Sequence, residues 1–172
     1  MLEDRCQKIE FLVSDVDGVL TDGRLIFDNQ GIESKRFHVH DGTGIKLWQR
    51  AGGKFGILTS RSSHIVEVRA GELGINHIRQ GIEQKLPALR EMMAELGLEA
   101  EQVGYIGDDL PDLPVVQFAG LGVAVADACP ELRRAAEFVT QLPGGHGAVR
   151  ETIEMILKAQ HRWDHLIQSF SG

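Results

Sequence analysis

Cysteine, basic runs and long apolar stretches are all scarce in this sequence, and each scarcity excludes a class of protein. Two cysteines, Cys6 and Cys129, are too few for a disulfide framework and lack metal-ligand spacing, so both are expected as reduced thiols without a role. Lys and Arg number 18 against 25 Asp and Glu, a formal charge of -7, and no basic cluster interrupts the scattered acids. Sequence-independent nucleic-acid binding needs a basic face to displace counterions, so no nucleic-acid partner is expected. No apolar run approaches the length of a membrane span, and the start MLEDRCQKIEF lacks the basic-then-apolar layout of a signal peptide. A soluble, cytoplasmic protein with no membrane partner is the expectation. Internal repeats, low-complexity stretches and interdomain linkers are also missing, and 172 residues suffice for one domain with a hydrophobic core, read here as 1–172.

What is present is an alternation of two patterns. Apolar runs at Phe11 to Val13, Phe55 to Leu58, Val103 to Ile106 and Leu121 to Val125 read as buried strands that stop at polar residues. Helical periodicity lies between and after them, over Gly44 to Ala51, Ile65 to Leu73, Leu86 to Leu96, Leu113 to Phe118 and Ala148 to Gln160, with Asp41 as a plausible cap of the first. Strands alternating with helices predict an α/β fold, a Rossmann-like parallel sheet with helices on both faces. Ligands collect at the carboxyl ends of such strands, where the sequence sets Asp15, Asp17, Thr59 and Asp108.

One segment breaks the alternation. Leu25 to Asp28 and Lys35 to Val39 are β-prone and flank the turn signal Asn29-Gln30-Gly31, which predicts a β-hairpin over 24–39 projecting from the core. Its exposed strands would be an edge liability in a monomer, so a homo-oligomer is expected. The C-terminal tail, 161–172, carries Trp163, Leu166, Ile167 and Phe170 on too few residues to bury them, and should dock on something.

The chemistry concentrates at the strand ends. Asp15-Val16-Asp17-Gly18 puts two carboxylates after a strand with a glycine that permits a sharp turn. One can attack while the other moves protons, and a divalent cation such as Mg²⁺, which prefers oxygen ligands, offsets the repulsion between an aspartate nucleophile and a phosphoryl group. Such a pair taken alone is equally compatible with a solvated acidic turn. Gly107-Asp108-Asp109-Leu110-Pro111-Asp112 repeats the motif after another strand, where clustered like charges call for a cation or donors. Thr59 is a short donor at a strand end, which also suits a helix cap, and Lys85 opens a helix, where surface lysines are common.

The order D-x-D-G-V-x-T-D-G, Thr59, Lys85, G-D-D-x-x-D resembles the haloacid dehalogenase superfamily of phosphatases over Phe11 to Asp112. The resemblance implies Asp15 as nucleophile, Asp17 as general acid and base, and Thr59 and Lys85 as the pair holding the phosphoryl group. It implies Mg²⁺ on Asp15, Asp108 and the backbone carbonyl of Asp17, with Asp109 and Asp112 behind them. Related transporting ATPases carry Thr at the position of Asp17, so an acid there implies hydrolysis. The short stretches from Asp17 to Thr59 and from Thr59 to Lys85 leave room for the hairpin but not for a large cap, and the chain resembles the capless branch.

Within that branch it is similar to the 3-deoxy-D-manno-octulosonate 8-phosphate phosphatase family through Phe37 to Lys46, Ser60-Arg61, Gly81, Gly107 to Leu110, Val123 to Ala128 and Gly144 to Glu151. This implies hydrolysis of a phosphorylated sugar acid on the route to lipopolysaccharide. It also implies a homotetramer in which hairpins of different subunits build a β-barrel and neighbours and tails help close the site, with substrate contacts at Thr59, Ser60, Arg61, Lys85 and His40. That family usually has Arg in F-x-V-R-D-G where this chain has His40. An imidazole replaces a permanent cation, which opens the alternative of a 9-phosphorylated nonulosonate, whereas Arg61 favours the octulosonate ester because relatives acting on nonulosonates often carry Glu there. A non-catalytic oligomeric regulator or scaffold is the alternative of another class, disfavoured because crowded carboxylates would only destabilise it. His38 and His40, alternating on a strand, and His146 are read as surface or interface histidines rather than metal ligands. Gly144 to Gly147 reads as a turn or an anion-binding backbone, and Arg150 as a surface residue or part of site closure.

Overall fold

The computed structural model describes residues 1–170. The predicted strands form as β1 (Phe11–Ser14), β4 (Lys54–Leu58), β6 (Val103–Gly107) and β7 (Leu121–Ala124), joined by the unforeseen β5 (His77–Arg79) and β8 (Phe138–Val139). All pair in parallel in one six-stranded sheet of order β5-β4-β1-β6-β7-β8. Every residue of β1 is buried, as a parallel strand covered on both faces requires. Helices α2 (Val39–Arg50), α3 (His64–Leu73) and α7 (Ala148–Ala159) pack together with α1 (Leu2–Lys8), and α4 (Lys85–Leu96), α5 (Leu113–Phe118) and α6 (Pro130–Ala135) form a second group. The short pieces β5, β8, α1 and α6 are too brief for a periodic signal, which is why only tertiary pairing reveals them.

From β1 the chain winds outward through β4 to β5, then returns past β1 to β6 and winds the other way through β7 to β8. The winding reverses between β1 and β6, and connections leaving opposite ways open a crevice at their carboxyl ends. Register makes that crevice tight: Ser14 pairs with Ile57 on one side and Ile106 on the other, and the Asp15 amide donates to the Ile106 carbonyl at 3.0 Å. Asp15 and Asp108 therefore leave adjacent strands at nearly the same level.

The hairpin differs from its predicted extent. Its strands are β2 (Ile26–Phe27) and β3 (Glu33–Ser34), antiparallel, so the second strand precedes Lys35 instead of running from Lys35 to Val39. Asp28 sets this register, its Oδ1 accepting from the amides of Gln30 (2.8 Å) and Ile32 (2.9 Å). The backbone turns helical already at Val39, so His38 and His40 do not alternate on a strand. His38 is the cap, its Nδ1 accepting from the His40 amide at 3.2 Å. Asp41, predicted to cap α2, lies within its first turn, 1% exposed. There its Oδ1 accepts from the Arg150 amide at 2.9 Å and ties the first turn of α7 to α2.

The tail forms α8 (Trp163–Gln168), with Trp163 and Leu166 buried. It docks on its own chain: the Arg150 guanidinium lies 5.2 Å and the Lys158 ammonium 5.5 Å from the Trp163 ring, contacts that favour a cation over an aromatic face. Ile167 and Phe170 stay exposed, and residues 171 and 172 of the predicted 161–172 tail lie outside the described residues. Among the described residues no helix is long and apolar enough to cross a membrane.

Candidate active site

The crevice is built around one buried lysine. Lys85 is the first residue of α4, an end where the helix dipole disfavours a cation, and its side chain is 1% exposed. Two carboxylates compensate it, Asp15 Oδ2 at 2.8 Å and Asp112 Oδ1 at 2.6 Å. Burial alone would lower the Lys85 pKa, but these two anions outweigh it and hold the ammonium above its ordinary range. Asp15 also accepts from the Val16 amide through Oδ1 at 2.7 Å. Burial first, then the Asp112 charge, pushes the Asp15 carboxyl up to about 6, against the opposing pull of Lys85.

Asp112 has its oxygens filled. Oδ1 accepts from Lys85 and from the Tyr105 hydroxyl (2.6 Å), and Oδ2 accepts from the amides of Asp108 (3.0 Å) and Asp109 (3.4 Å). It holds the loop after β6 in place. Asp108, by contrast, accepts no hydrogen bond through its carboxylate among the described residues, and burial followed by the Asp112 and Asp15 charges pushes it up to about 8. Gly18 makes room for it: at φ +92° a Cβ would lie 2.0 Å from Asp108 Oδ2.

Asp15, Asp108 and Asp112 each bring an oxygen within 4.8 Å of the others. Since Asp112 is saturated, Asp15 and Asp108 are the carboxylates with lone pairs to spare, and the Asp17 carbonyl oxygen, which accepts no hydrogen bond among the described residues, is a third hard donor of the expected set. Two carboxyls raised first by burial and then by neighbouring acidic charge, beside a free carbonyl, fit a hard divalent cation.

Thr59 follows β4, 2% exposed, its amide bonded to the Arg79 carbonyl, and its hydroxyl has no partner among the described residues. The Asp17 carboxylate finds its partners outside the aspartate cluster. Its Oδ1 lies 2.5 Å from Lys35 Nζ and its Oδ2 3.8 Å from Arg61 Nε, while Glu33 Oε1 binds both cations, at 3.2 Å from Lys35 and 2.9 Å from Arg61. Two carboxylates and two cations thus alternate in a ring that ties the hairpin to the crevice.

Comparisons with known proteins identify the family. Residues 77–151 match the model of the haloacid dehalogenase-like hydrolases. The chain is 48% identical over 158 residues to the 3-deoxy-D-manno-octulosonate 8-phosphate phosphatase KdsC of Yersinia pestis, covering 92% of this chain and 84% of that one. To the Escherichia coli K12 protein of the same name it is 44% identical, covering 93% and 85%. The chain belongs to this phosphatase family of haloacid dehalogenase-like hydrolases. The crystal structure of the Moraxella catarrhalis phosphatase with magnesium, phosphate and KDO superposes with TM-score 0.97 at 44% identity, over 98% of this chain and 97% of that one. The cobalt-bound Haemophilus influenzae phosphatase superposes with TM-score 0.93 at 40% identity, over 98% and 99%.

Within this phosphatase fold the remaining expected residues fall in different places. Asp109 is exposed and caps its own turn, Oδ1 accepting from the Leu110 amide at 2.9 Å. Ser60, exposed beside Thr59, places its hydroxyl where no partner among the described residues takes it. His40 is exposed on α2 and lines a groove with His146, Arg150 and Glu154; among the described residues it makes no hydrogen bond to the aspartate cluster. Gly144 is a close-approach glycine: a Cβ there would lie 1.7 Å from the Gly18 carbonyl, and its amide donates to Asp127 Oδ1 at 2.9 Å, so this loop backs the turn after Asp15. Tyr105, Lys35 and Glu33 join the site without having been expected there from the sequence. A phenol inside an apolar strand was the available signal for Tyr105, since a buried hydroxyl needs a partner; the hairpin pair carries no local signal.

Proposed function

We propose that this one-domain protein hydrolyses 3-deoxy-D-manno-octulosonate 8-phosphate to the free sugar acid and phosphate, with Mg²⁺ bound by Asp15, Asp108 and the Asp17 carbonyl. The observation that carries the reading is the buried Asp15, fixed between Lys85 and the Val16 amide beside the Asp108 carboxylate, which has no hydrogen-bond partner among the described residues, in a chain 48% identical to such a phosphatase. When bound, the cation offsets the repulsion between aspartate and phosphoryl group. An Asp15 carboxylate oxygen attacks phosphorus, and the sugar oxygen departs with the bonding pair, taking a proton from Asp17. Asp17 then removes a proton from water, whose oxygen attacks the aspartyl-phosphate and returns Asp15. Lys85 and the Thr59 hydroxyl hold phosphoryl oxygens, Ser60, Arg61 and His40 are assigned to the sugar acid, and Asp109 and Asp112 support the loop.

The same reading makes the protein a cytoplasmic homotetramer serving lipopolysaccharide precursor synthesis. Supporting it, Leu25, Phe27 and Ile32 stand 53%, 55% and 58% exposed on the hairpin, an apolar surface that subunit contact would cover. The test is phosphate release from the octulosonate ester and, in parallel, a 9-phosphorylated nonulosonate, with Mg²⁺ and after chelation. Preferential metal-dependent turnover of the octulosonate ester is expected, abolished in Asp15→Asn with the far-UV spectrum intact. Preference for the nonulosonate would move the substrate, and metal-independent release or an active Asp15→Asn would refute the mechanism.

A further inference from the structure

The ring of Asp17, Lys35, Glu33 and Arg61 couples the proposed proton donor to two hairpin side chains, Lys35 and Glu33, that the mechanism above leaves without a role. Its centre is Lys35, whose side chain is 1% exposed although it comes from the hairpin. Burying an ammonium is costly unless it is paired, and Lys35 is paired twice, with Asp17 Oδ1 at 2.5 Å and Glu33 Oε1 at 3.2 Å. Arg61, 42% exposed, holds the same Glu33 oxygen at 2.9 Å but stands 3.8 Å from Asp17 Oδ2. The two oxygens of Asp17 are therefore unequal: Oδ1 is taken by a buried cation and Oδ2 lies open beside a loosely placed one.

From this asymmetry we infer that Lys35 is a positioning residue for leaving-group departure. It pins Asp17 Oδ1 so that Oδ2 alone faces the ester oxygen of the bound phosphomonoester, while Glu33 fixes Lys35 from the far side. The inference rests on the reading of Asp17 as proton donor. In the step concerned, the bond from Asp15 to phosphorus forms, the bond from phosphorus to the sugar oxygen breaks with its electron pair leaving on that oxygen, and the proton on Asp17 Oδ2 moves to it. A donor free to rotate would present either oxygen, and misplacement by about 1 Å costs on the order of 100-fold in rate. The hairpin thus has a task inside its own subunit, separate from any contact it makes with another.

Leaving groups that need no proton provide the test. The ratio kcat/KM covers steps only through formation of the aspartyl-phosphate, so it isolates departure from the later attack of water. Lys35→Met, which keeps the aliphatic stem, is compared with wild type on the octulosonate ester and on p-nitrophenyl phosphate, whose phenolate departs unaided. The expected result is a fall of roughly 100-fold on the sugar ester, within the range of general acid catalysis, and of about threefold or less on the aryl ester. Glu33→Gln should give a smaller loss of the same selectivity. In an Asp17→Asn background Lys35→Met should cause no further loss on the sugar ester, because the group it orients is gone. Proportional losses on both esters, an unchanged sugar-ester rate, or additivity with Asp17→Asn would overturn the inference while leaving the phosphatase reading intact. A wild-type protein inactive on both esters would overturn both.

Discussion

Lys85→Met removes a charge from between two buried carboxylates while nearly conserving volume, and its consequences follow from the distances. Lys85 is 2.8 Å from Asp15 and 2.6 Å from Asp112, in a site where Asp112 is 1% exposed and Asp15 8%. Removing one partner of a buried ionic cluster leaves uncompensated charge, a loss of about 3–5 kcal/mol, which for a chain of this size lowers Tm by roughly 6–20 °C. The loss depends on pH in a definite direction. Asp15 already titrates at about 6, above the 3.8 of a free aspartate, so the folded state holds a proton that the unfolded state releases. Its stabilising contribution is complete below about 4 and is lost as pH rises through about 6. Without Lys85 the carboxyl rises further and the protein escapes the penalty by protonation, so the Tm deficit is larger at pH 8 than at pH 5. Thermal unfolding followed by circular dichroism in metal-free buffer at both values reads this directly. A variant within 2 °C of wild type at pH 8, equivalent to no more than about 1 kcal/mol, or a deficit equal at the two pH values, would refute the electrostatic account.

Three further outcomes are expected. Asp108 is held up to about 8 from 3.8, so its contribution to metal-free stability is complete below about 4 and lost as pH rises through about 8, and protons compete with a cation throughout that window. A Mg²⁺ concentration about 100 times the Kd at pH 8 adds about 2.7 kcal/mol there; at the same concentration the Tm gain should be smaller at pH 6, where protons weaken binding, and equal gains in differential scanning fluorimetry would contradict the assignment. Gly18→Ala places a methyl 2.0 Å from Asp108 Oδ2 at φ +92° and should raise the Mg²⁺ concentration for half-maximal activity roughly 10–100-fold, as misplacing a ligand does; an unchanged metal titration argues that Asp108 does not bind the cation. Tyr105→Phe deletes the 2.6 Å donor to Asp112 within a fully buried strand and should lower stability by about 1.5–3 kcal/mol, with an unchanged urea midpoint counting against the contact.

By itself the sequence determined the sheet-and-helix alternation and the approximate strand ends, because a buried parallel strand is a local apolar run and its termination at Asp15, Thr59 and Asp108 is written beside it. It also supplied the order of motifs on which the family resemblance rests. Strand order, hairpin register and helix entry belong to a different level. The start of α2 at Val39 depends on His38 as cap and on Asp41 reaching the amide of Arg150, a contact across the chain that no window around Asp41 contains. The same holds for Asp112, whose four donors from Lys85, Tyr105, Asp108 and Asp109 make it a support rather than a free ligand. Only the fold decided that Lys35, one lysine of an ordinary polar segment, loses its water and stands against Asp17. Hydrophobic periodicity is a property of neighbours in sequence, whereas the pairing of buried charges is fixed by which strands and loops the topology brings to the same crevice.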